Sequence, residues 1–243
     1  MNMKKLLGYT RKAVADYNMI EEGDKIAIGI SGGKDSLALA LALKGLQRFY
    51  PKKFEIQAIM IDLGFDYADF SILKEFFEKH EIPFTILNTD IGEIVFEERK
   101  EKNPCSLCSK MRKGAFNDTA VKLGCNKIAL GHHKNDIVET LFLCMFFEGR
   151  IYSFSPVTYL DKMNLYVIRP LLYASEREVI TFKNKYELPV MKNPCPADGY
   201  TKREYIKDLL KKLNIENPGL NDRIFKSIIN SNINGWDIKE FLK

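Results

Sequence analysis

The most constraining feature of this sequence is a glycine-rich hexapeptide, SGGKDS at residues 31–36, between a short apolar segment and a segment rich in alanine and leucine. Residues 25–30 predict a β-strand, and residues 36–46 predict an α-helix. Glycines allow the backbone to approach a phosphate closely, and a helix start adds partial positive charge. The hexapeptide therefore predicts an anion-binding turn between a strand and a helix.

The spacing of the glycines excludes two common nucleotide-binding motifs. A Walker loop needs four residues between its first glycine and a Gly-Lys-Ser/Thr sequence, but Gly29 stands only four positions before Gly33, and Asp35 follows Lys34. The GxGxxG fingerprint of dinucleotide-binding folds is absent as well. An ordinary glycine-rich turn without a ligand is the alternative interpretation.

Strand and helix patterns alternate up to about residue 150, which predicts an α/β fold with a parallel sheet covered by helices on both faces. Ligands of such sheets bind at the carboxyl ends of the strands. A hairpin and a helical C-terminal appendage are predicted to follow. The predicted strands are 25–30, 54–62, 84–88 and 127–130, the hairpin strands are 155–160 and 165–168, and the helices are 4–18, 36–46, 68–80, 110–123, one from residue 135, 176–186, 201–213 and 221–230.

These patterns divide the chain into an N-terminal helix (1–24), a nucleotide-binding domain (25–190) and a C-terminal region (191–243). The longest apolar runs, 37–43 and 141–147, have seven residues each, whereas a membrane-spanning helix needs about 20. The N-terminus lacks the apolar core of a signal peptide. We therefore expect a cytoplasmic protein with no membrane partner.

Two of the five cysteines, Cys105 and Cys108, lie three positions apart at a predicted helix start. Six basic residues and one acidic residue surround them between residues 99 and 114. Nearby cations and a helix N-terminus favour thiolates, which are metal ligands. Cys195 lies between two prolines that stiffen its loop, so it is the best third ligand. Three thiols would leave one coordination position of a metal open.

Other interpretations of the cysteines are a zinc site or two helix-start cysteines with no special role. A structural zinc site usually has four ligands, and the sequence offers no second close pair of Cys or His. Cys125 and Cys144 are predicted to be small core residues. An odd number of cysteines in a chain of 243 residues argues against a secreted disulfide scaffold.

A second polar motif, GHHKND at residues 131–136, follows the predicted strand 127–130 and is expected at the same sheet edge as the glycine loop. Asp136 is a candidate for magnesium binding or catalysis. The alternative for His132 and His133 is that they are hydrogen-bonded histidines that close a strand end.

The hexapeptide resembles the SGGxDS PP-loop of the N-type ATP pyrophosphatases, and the second motif resembles the GHHxDD segment of their tRNA-modifying members. This resemblance implies an adenine nucleotide alpha hydrolase-like domain that cleaves ATP to AMP and pyrophosphate. It also implies that Asp35 lies near magnesium and that backbone at Ile61 contacts adenine. The implied ATP-binding residues are Ser31, Gly32, Gly33, Asp35, Ser36, Ile61 and Gly131.

The order of motifs, from the PP-loop through the CxxC pair and the GHH segment to a lone distant cysteine, resembles the tRNA 2-thiocytidine synthetase family over about residues 20–212. The resemblance implies a 4Fe-4S cluster held by Cys105, Cys108 and Cys195. Arg112 matches a basic catalytic or substrate-positioning place, and Asp136 a catalytic one. Two departures are Asn135 for the first aspartate of GHHxDD and Asp198 for a second distant cysteine.

The same resemblance implies ATP, magnesium and the 4Fe-4S cluster as cofactors and tRNA as the partner. The expected reaction adenylates the C2 oxygen of cytidine 32 and replaces it by sulfur. The sulfur donor would be a cysteine desulfurase or free sulfide, and a homodimer is possible. Basic residues at 99–113 and on the helix 201–213 would hold the RNA backbone, unless the latter form a solvated helix face. These helix residues are Lys202, Arg203, Lys207, Lys211 and Lys212.

Two other functions remain open from the sequence. A PP-loop sulfurtransferase or ligase would act on another tRNA base or on a small molecule, and the modest net charge of +5 permits this. A noncatalytic sensor would bind ATP or RNA without forming AMP.

Overall fold

The computed structural model describes residues 1–65, 69–99, 104–191, 202–231, 233 and 235–238. It contains a six-stranded sheet with the strand order β3-β2-β1-β4-β6-β5. All neighbouring strands are parallel except β5 and β6, which pair as an antiparallel hairpin. The strands are β1 (Asp24–Ile30), β2 (Phe54–Asp62), β3 (Phe84–Asn88), β4 (Lys127–Ala129), β5 (Val157–Leu160) and β6 (Leu165–Ile168).

The predicted α/β architecture is confirmed, and so is the hairpin. The sequence did not indicate that the hairpin belongs to the main sheet, where β6 pairs with β4 in parallel. Strand β1 pairs with both β2 and β4. The chain direction across the sheet therefore reverses at β1, and a crevice for ligands opens at the carboxyl ends of β1 and β4.

The helices lie on both faces of the sheet. The helix predicted over 110–123 begins earlier, at Pro104, because a proline is well suited to the first turn of a helix. A short helix, α4, continues into a π-helical segment, Ile94–Glu98, that the sequence did not predict. The helices are α1 (Met3–Asp16), α2 (Lys34–Leu46), α3 (Ser71–Lys79), α4 (Ile91–Glu93), α5 (Pro104–Lys122), α6 (Lys134–Phe147), α7 (Glu176–Lys185), α8 (Lys202–Glu216) and α9 (Leu220–Ile229).

Two apolar clusters hold these layers together. The larger one joins α1, α2, α7, α8 and α9 on one face, and the smaller one lies under α5 on the other. Trp236 is fully buried in the larger cluster and packs edge-on against Tyr17 and Phe225 at 6.0 and 5.9 Å between ring centroids. Residues near both chain ends thus share one core with the glycine-loop helix. Among the described residues, no helix combines the length and the apolar character that crossing a bilayer requires.

Candidate active site at the carboxyl ends of the strands

The glycine loop connects β1 to α2, and its backbone is held at Gly32 in a left-handed conformation with a φ of +76°. The carbonyl oxygen of Gly32 accepts a hydrogen bond from the N–H of Met191 at 3.0 Å. A Cβ atom at Gly32 would lie only 3.2 Å from Cβ of Met191. Glycine is therefore required here both by the backbone conformation and by the close approach of another segment.

The loop is closed by hydrogen bonds among its own residues. The hydroxyl of Ser36 donates to the carbonyl of Gly33 at 2.9 Å and lies 3.3 Å from the hydroxyl of Ser31. The Ser31 hydroxyl also accepts from the N–H of Gly33 at 3.3 Å. Gly33 then caps α2 without a side chain of its own. These contacts prearrange a concave turn at a helix start, the geometry that binds phosphate.

Asp35, in the first turn of α2, carries a carboxylate with one paired and one unpaired oxygen. Its Oδ2 lies 3.0 Å from Nζ of Lys34. Its Oδ1 is buried and has no hydrogen-bond partner among the described residues, and Nε2 of His133 lies 3.7 Å away. A buried carboxylate oxygen without a partner is costly. Magnesium prefers oxygen ligands, so this atom suits a magnesium ion bound beside phosphates.

Lys34 belongs to an ion-pair chain that the sequence did not reveal. Its Nζ lies 3.5 Å from Oε1 of Glu176 at the start of α7, and Lys207 of α8 contacts the same oxygen at 2.9 Å. Burial raises the pKa of Glu176, but the hydrogen bond and charge of Lys207 outweigh it and lower the pKa below its ordinary value. Glu176 is therefore ionised, and it links the glycine loop to the C-terminal helices.

Gly131 follows β4 and lies directly against the glycine loop. A Cβ atom at Gly131 would be 2.9 Å from the carbonyl carbon of Asp35 and 3.1 Å from the backbone nitrogen of Ser36. Only a residue without a side chain allows this approach. The two sequence motifs that were predicted to share a sheet edge are thus in backbone contact.

His133 and Asp136 form a capping box at the start of α6. The N–H of His133 donates to Oδ2 of Asp136 at 2.9 Å, and the N–H of Asp136 donates to Nδ1 of His133 at 3.4 Å. Asn135 acts on the neighbouring helix, because its Oδ1 accepts from the N–H of Glu176 at 3.0 Å. One oxygen of Asp136 is therefore used to shape the site, and a catalytic role for this residue stays a prediction.

The other oxygen of Asp136 faces α8. Its Oδ1 lies 3.9 Å from Nη1 of Arg203, and the same guanidinium nitrogen lies 3.4 Å from Oε2 of Glu139 on α6. Burial and, after it, the nearby charge of Asp136 raise the pKa of Glu139 to about 7. Arg203 and Lys207, expected from the sequence on an RNA-binding or solvated face, are thus engaged with acidic residues of α6 and α7.

The two thiols of the CxxC pair lie in the first two turns of α5. Cys105 is exposed, whereas Cys108 is half-buried and packs against the smaller apolar cluster, which also contains Ile61 at the end of β2. Helices that precede a parallel strand run antiparallel to it, so α5 starts at the carboxyl edge of the sheet. Phe116 packs near Gly29 of β1. Cys105 precedes Phe116 by 11 residues, so it lies roughly 16 Å from Phe116 along the helix axis, towards the N-terminus of α5.

The structure places two of the remaining cysteines in the core, as the sequence predicted. Cys125 and Cys144 are buried, and burial raises the pKa of both thiols. No disulfide joins the cysteines in the described part of the chain. The predicted third ligand, Cys195, lies outside the described residues. Arg112 is exposed on α5, one turn after Cys108.

Comparison with known proteins decides the family. A model of the PP-loop domain matches residues 6–213. The chain is 41% identical to the tRNA-cytidine(32) 2-sulfurtransferase of Pelobacter propionicus, with 90% of this chain and 82% of that protein covered. It is 40% identical to the enzyme of the same name from Alcanivorax borkumensis, with 93% and 81% covered. This chain belongs to the tRNA-cytidine(32) 2-sulfurtransferase family of PP-loop proteins.

Solved structures support the fold of this PP-loop protein. The U34-tRNA thiolase NcsA from Methanococcus maripaludis, described with its 4Fe-4S cluster, superposes with a TM-score of 0.73 at 24% identity, over 90% of this chain and 76% of that one. An ammonia-dependent NAD synthetase from Campylobacter jejuni gives a TM-score of 0.50 at 16% identity, over 93% of both chains. Both likenesses concern the fold alone.

Three features of this PP-loop site were not predicted from the sequence: Glu176, Arg169 and the structural use of Lys34. Glu176 had a detectable signal, because Ser175 and Glu178 form a capping box that fixes the start of α7. Arg169 had no such signal in the sequence, because it reaches the site from the end of the β5–β6 hairpin. It donates from Nε to Nδ1 of His132 at 3.3 Å.

Proposed function

We propose that this chain is an ATP-dependent tRNA sulfurtransferase that replaces the C2 oxygen of cytidine 32 by sulfur and forms AMP and pyrophosphate. The observation that carries the proposal is the juxtaposition at one sheet edge of a prearranged phosphate loop and the start of the helix that bears two thiols. The identity of about 40% to enzymes of that name over nine-tenths of the chain supports the reaction class.

ATP would bind with its terminal phosphates in the glycine loop. The first N–H groups of α2 have no partner within the helix, and the helix start adds favourable dipole charge. Asp35 would hold magnesium through Oδ1, to which no described residue donates a hydrogen bond. Ile61 is buried at the end of β2, next to the crevice, so its backbone is well placed for the predicted adenine contact.

Adenylation solves the chemical difficulty of the reaction, because the cytosine oxygen is a poor leaving group by itself. The C2 oxygen would attack the α-phosphorus, and pyrophosphate would leave from the glycine loop. Backbone N–H groups and Lys34 would stabilise the negative charge that develops on the phosphates. The second leaving group is then AMP, which departs when sulfur attacks C2.

Cys105 and Cys108, together with Cys195, would hold a 4Fe-4S cluster. The donor chemistry of the described pair fits, since two thiols one helical turn apart are ligands that iron–sulfur clusters prefer. With three protein ligands, the cluster would supply an open iron position that can bind sulfide. Arg112, exposed beyond Cys108 on α5, would position the RNA near this sulfur.

The sulfur source would be free sulfide or a cysteine desulfurase, and the protein would act in the cytoplasm as a homodimer. Large exposed apolar side chains, Phe146 at the end of α6 and Ile151 after it, offer a surface for a second copy. Light scattering of the purified protein tests this oligomeric state, and a monomeric mass would contradict it.

The direct test is reconstitution under anaerobic conditions with ATP, magnesium, sulfide and a tRNA that carries cytidine 32. We expect AMP, pyrophosphate and 2-thiocytidine in equal amounts, and no product from a matched tRNA with uridine 32. Asp35→Asn should reduce all three products at least tenfold, whereas Asp118→Asn, an exposed position on α5, should not. AMP formed equally without tRNA would favour a small-molecule substrate, and absence of AMP would favour a sensor.

A further inference from the structure

A buried arginine at the sheet edge has no negatively charged partner in the part of the chain that the structure describes. Arg169 follows β6 directly and is only 7% exposed. Burial lowers the pKa of its guanidinium to about 10. Within the described residues it forms no ion pair with a carboxylate. A buried cation without a counter-ion is costly, so its retention calls for an anion that arrives with a ligand.

The guanidinium is held in place by neutral acceptors on one side. Nη1 donates to the carbonyl of Ser155 at 2.5 Å and to Oγ1 of Thr158 at 3.2 Å, and the group lies 5.0 Å from the ring centre of Phe154. Nη2 forms no hydrogen bond with the described residues. No described residue therefore competes with a ligand for its N–H groups.

His132, which is hydrogen-bonded to Arg169, presents a second donor. Arginine Nε can only donate, so Nδ1 of His132 must accept from it at 3.3 Å and the ring proton must reside on Nε2. The His132 ring is fixed by stacking on Phe154, with the ring centres 4.5 Å apart and the planes 16° apart. In the described part of the chain, Nε2 has no hydrogen-bond partner.

The pair lies on the side of the glycine loop that is opposite the predicted adenine contact. Ile28, Ala129 and Ile168 are register partners across β1, β4 and β6. Ser31 and His132 each follow their strand's partner residue by three positions, so they lie at similar heights on adjacent strands. Ile61 is on β2, beyond β1 in the other direction.

We propose that Arg169 and His132 together bind a backbone phosphate of the RNA substrate next to the nucleotide that is modified. The phosphates of ATP would occupy the glycine loop and its adenine the β2 side, which leaves the β4–β6 side for the acceptor. Guanidinium and imidazole N–H groups both donate to phosphodiester oxygens. This inference rests on the proposed RNA substrate.

The test separates RNA binding from catalysis by measuring tRNA affinity between 50 and 300 mM salt and the KM for ATP independently. Arg169→Gln should weaken tRNA binding about tenfold and reduce the slope of log affinity against log salt by about one unit. His132→Phe keeps the stacking on Phe154 and removes the N–H, so it should weaken binding about threefold even if Arg169→Gln is unstable. The KM for ATP should stay within a factor of two.

Thr158→Val is the matched control, because it removes a hydrogen bond that only holds Arg169 in place. Equal losses of tRNA affinity in Thr158→Val and Arg169→Gln would overturn the proposal in favour of a structural role. A raised KM for ATP with unchanged tRNA affinity would overturn it as well. If wild-type protein binds tRNA with the expected salt slope but forms no thionucleoside, the proposed function fails while the phosphate site stands.

Discussion

Two helix starts at the same sheet edge are built in different ways. At the start of α2, the residues of the glycine loop bond one another, and the side chain of Ser36 is buried. At the start of α5, Cys105 is exposed and its predicted third partner is 90 residues away in the sequence. The phosphate loop closes on itself within six consecutive residues, whereas the predicted thiol site requires a distant part of the chain.

This difference predicts that the two sites can be disabled separately. Cys105→Ser and Cys195→Ser should each abolish thiolation, with a loss of more than about 100-fold, because a cluster with two thiol ligands is not retained. ATP binding should be unchanged, since the loop contains its own contacts. Thionucleoside yield, cluster absorbance and nucleotide affinity measure the three effects.

Cys144→Ala is the control for this experiment, because it removes a buried thiol of α6 far along the helix from the loop. Full thiolation activity in either Cys105→Ser or Cys195→Ser would contradict the assignment. Loss of ATP affinity in these variants would show that the two sites are not independent.

The glycine loop should be sensitive to a single methyl group. Gly32→Ala should reduce ATP affinity about 30-fold, because φ at this position is +76° and the new Cβ would approach Met191. Gly124→Ala provides the same backbone strain at a φ of +74° in open space. Both should lose about 1 kcal/mol of stability. Nucleotide titration and thermal unfolding distinguish them, and equal ATP affinities would contradict a role for the loop.

A substitution at Arg112 tests whether α5 contributes to tRNA positioning in addition to its two thiols. Arg112→Ala should lower kcat/KM for tRNA about tenfold without changing ATP affinity, because its exposed guanidinium is predicted to position the RNA. Lys122→Ala, an exposed basic residue at the other end of α5, is the matched control. If both variants behave alike, Arg112 contributes only to the general surface charge.

Helix α8, which begins seven residues after Cys195, connects the predicted thiol site with the helices beside the glycine loop. Glu139 holds Arg203 of this helix, and burial raises its pKa to about 7. Its carboxyl group therefore binds a proton more tightly in the folded than in the unfolded chain. The free energy of unfolding should therefore fall by at most about 3 kcal/mol as the pH rises from 4.5 to 7, and it should stay at the lower value above pH 7.

Glu139→Gln should remove this component of the pH dependence and change thiolation by less than twofold. Unfolding by denaturant at pH 5 and pH 8 checks it, with Glu204→Gln on the exposed side of α8 as the control. An unchanged pH dependence in Glu139→Gln would assign the effect to other groups.

The local parts of the molecule could be predicted from the sequence, because their physical signals span few residues. The loop at 31–36, the strands around it and the capping residue Ser175 are examples. The pairing of β6 with β4 was not predictable, since short apolar strands do not indicate their neighbours. The chain of ion pairs from Lys34 through Glu176 to Lys207 was not predictable either, because its members come from three helices.

For Asp136, the sequence predicted the position of the carboxylate but not its contacts. Sequence spacing indicated a carboxylate near the phosphate loop, and the structure confirms its place at the start of α6. Its use as one half of a capping box depends on the orientation of His133, which spacing alone does not define.

The central claim is that the phosphate loop and the thiol-bearing helix serve one reaction on tRNA. Nucleoside mass spectrometry of tRNA tests it most directly, in a host that lacks this gene and in the same host with the wild-type, Gly32→Ala or Cys105→Ser gene restored. The account predicts that 2-thiocytidine is lost, returns with the wild-type gene and stays absent or strongly reduced with both variants. Unchanged 2-thiocytidine in the host that lacks the gene would contradict it.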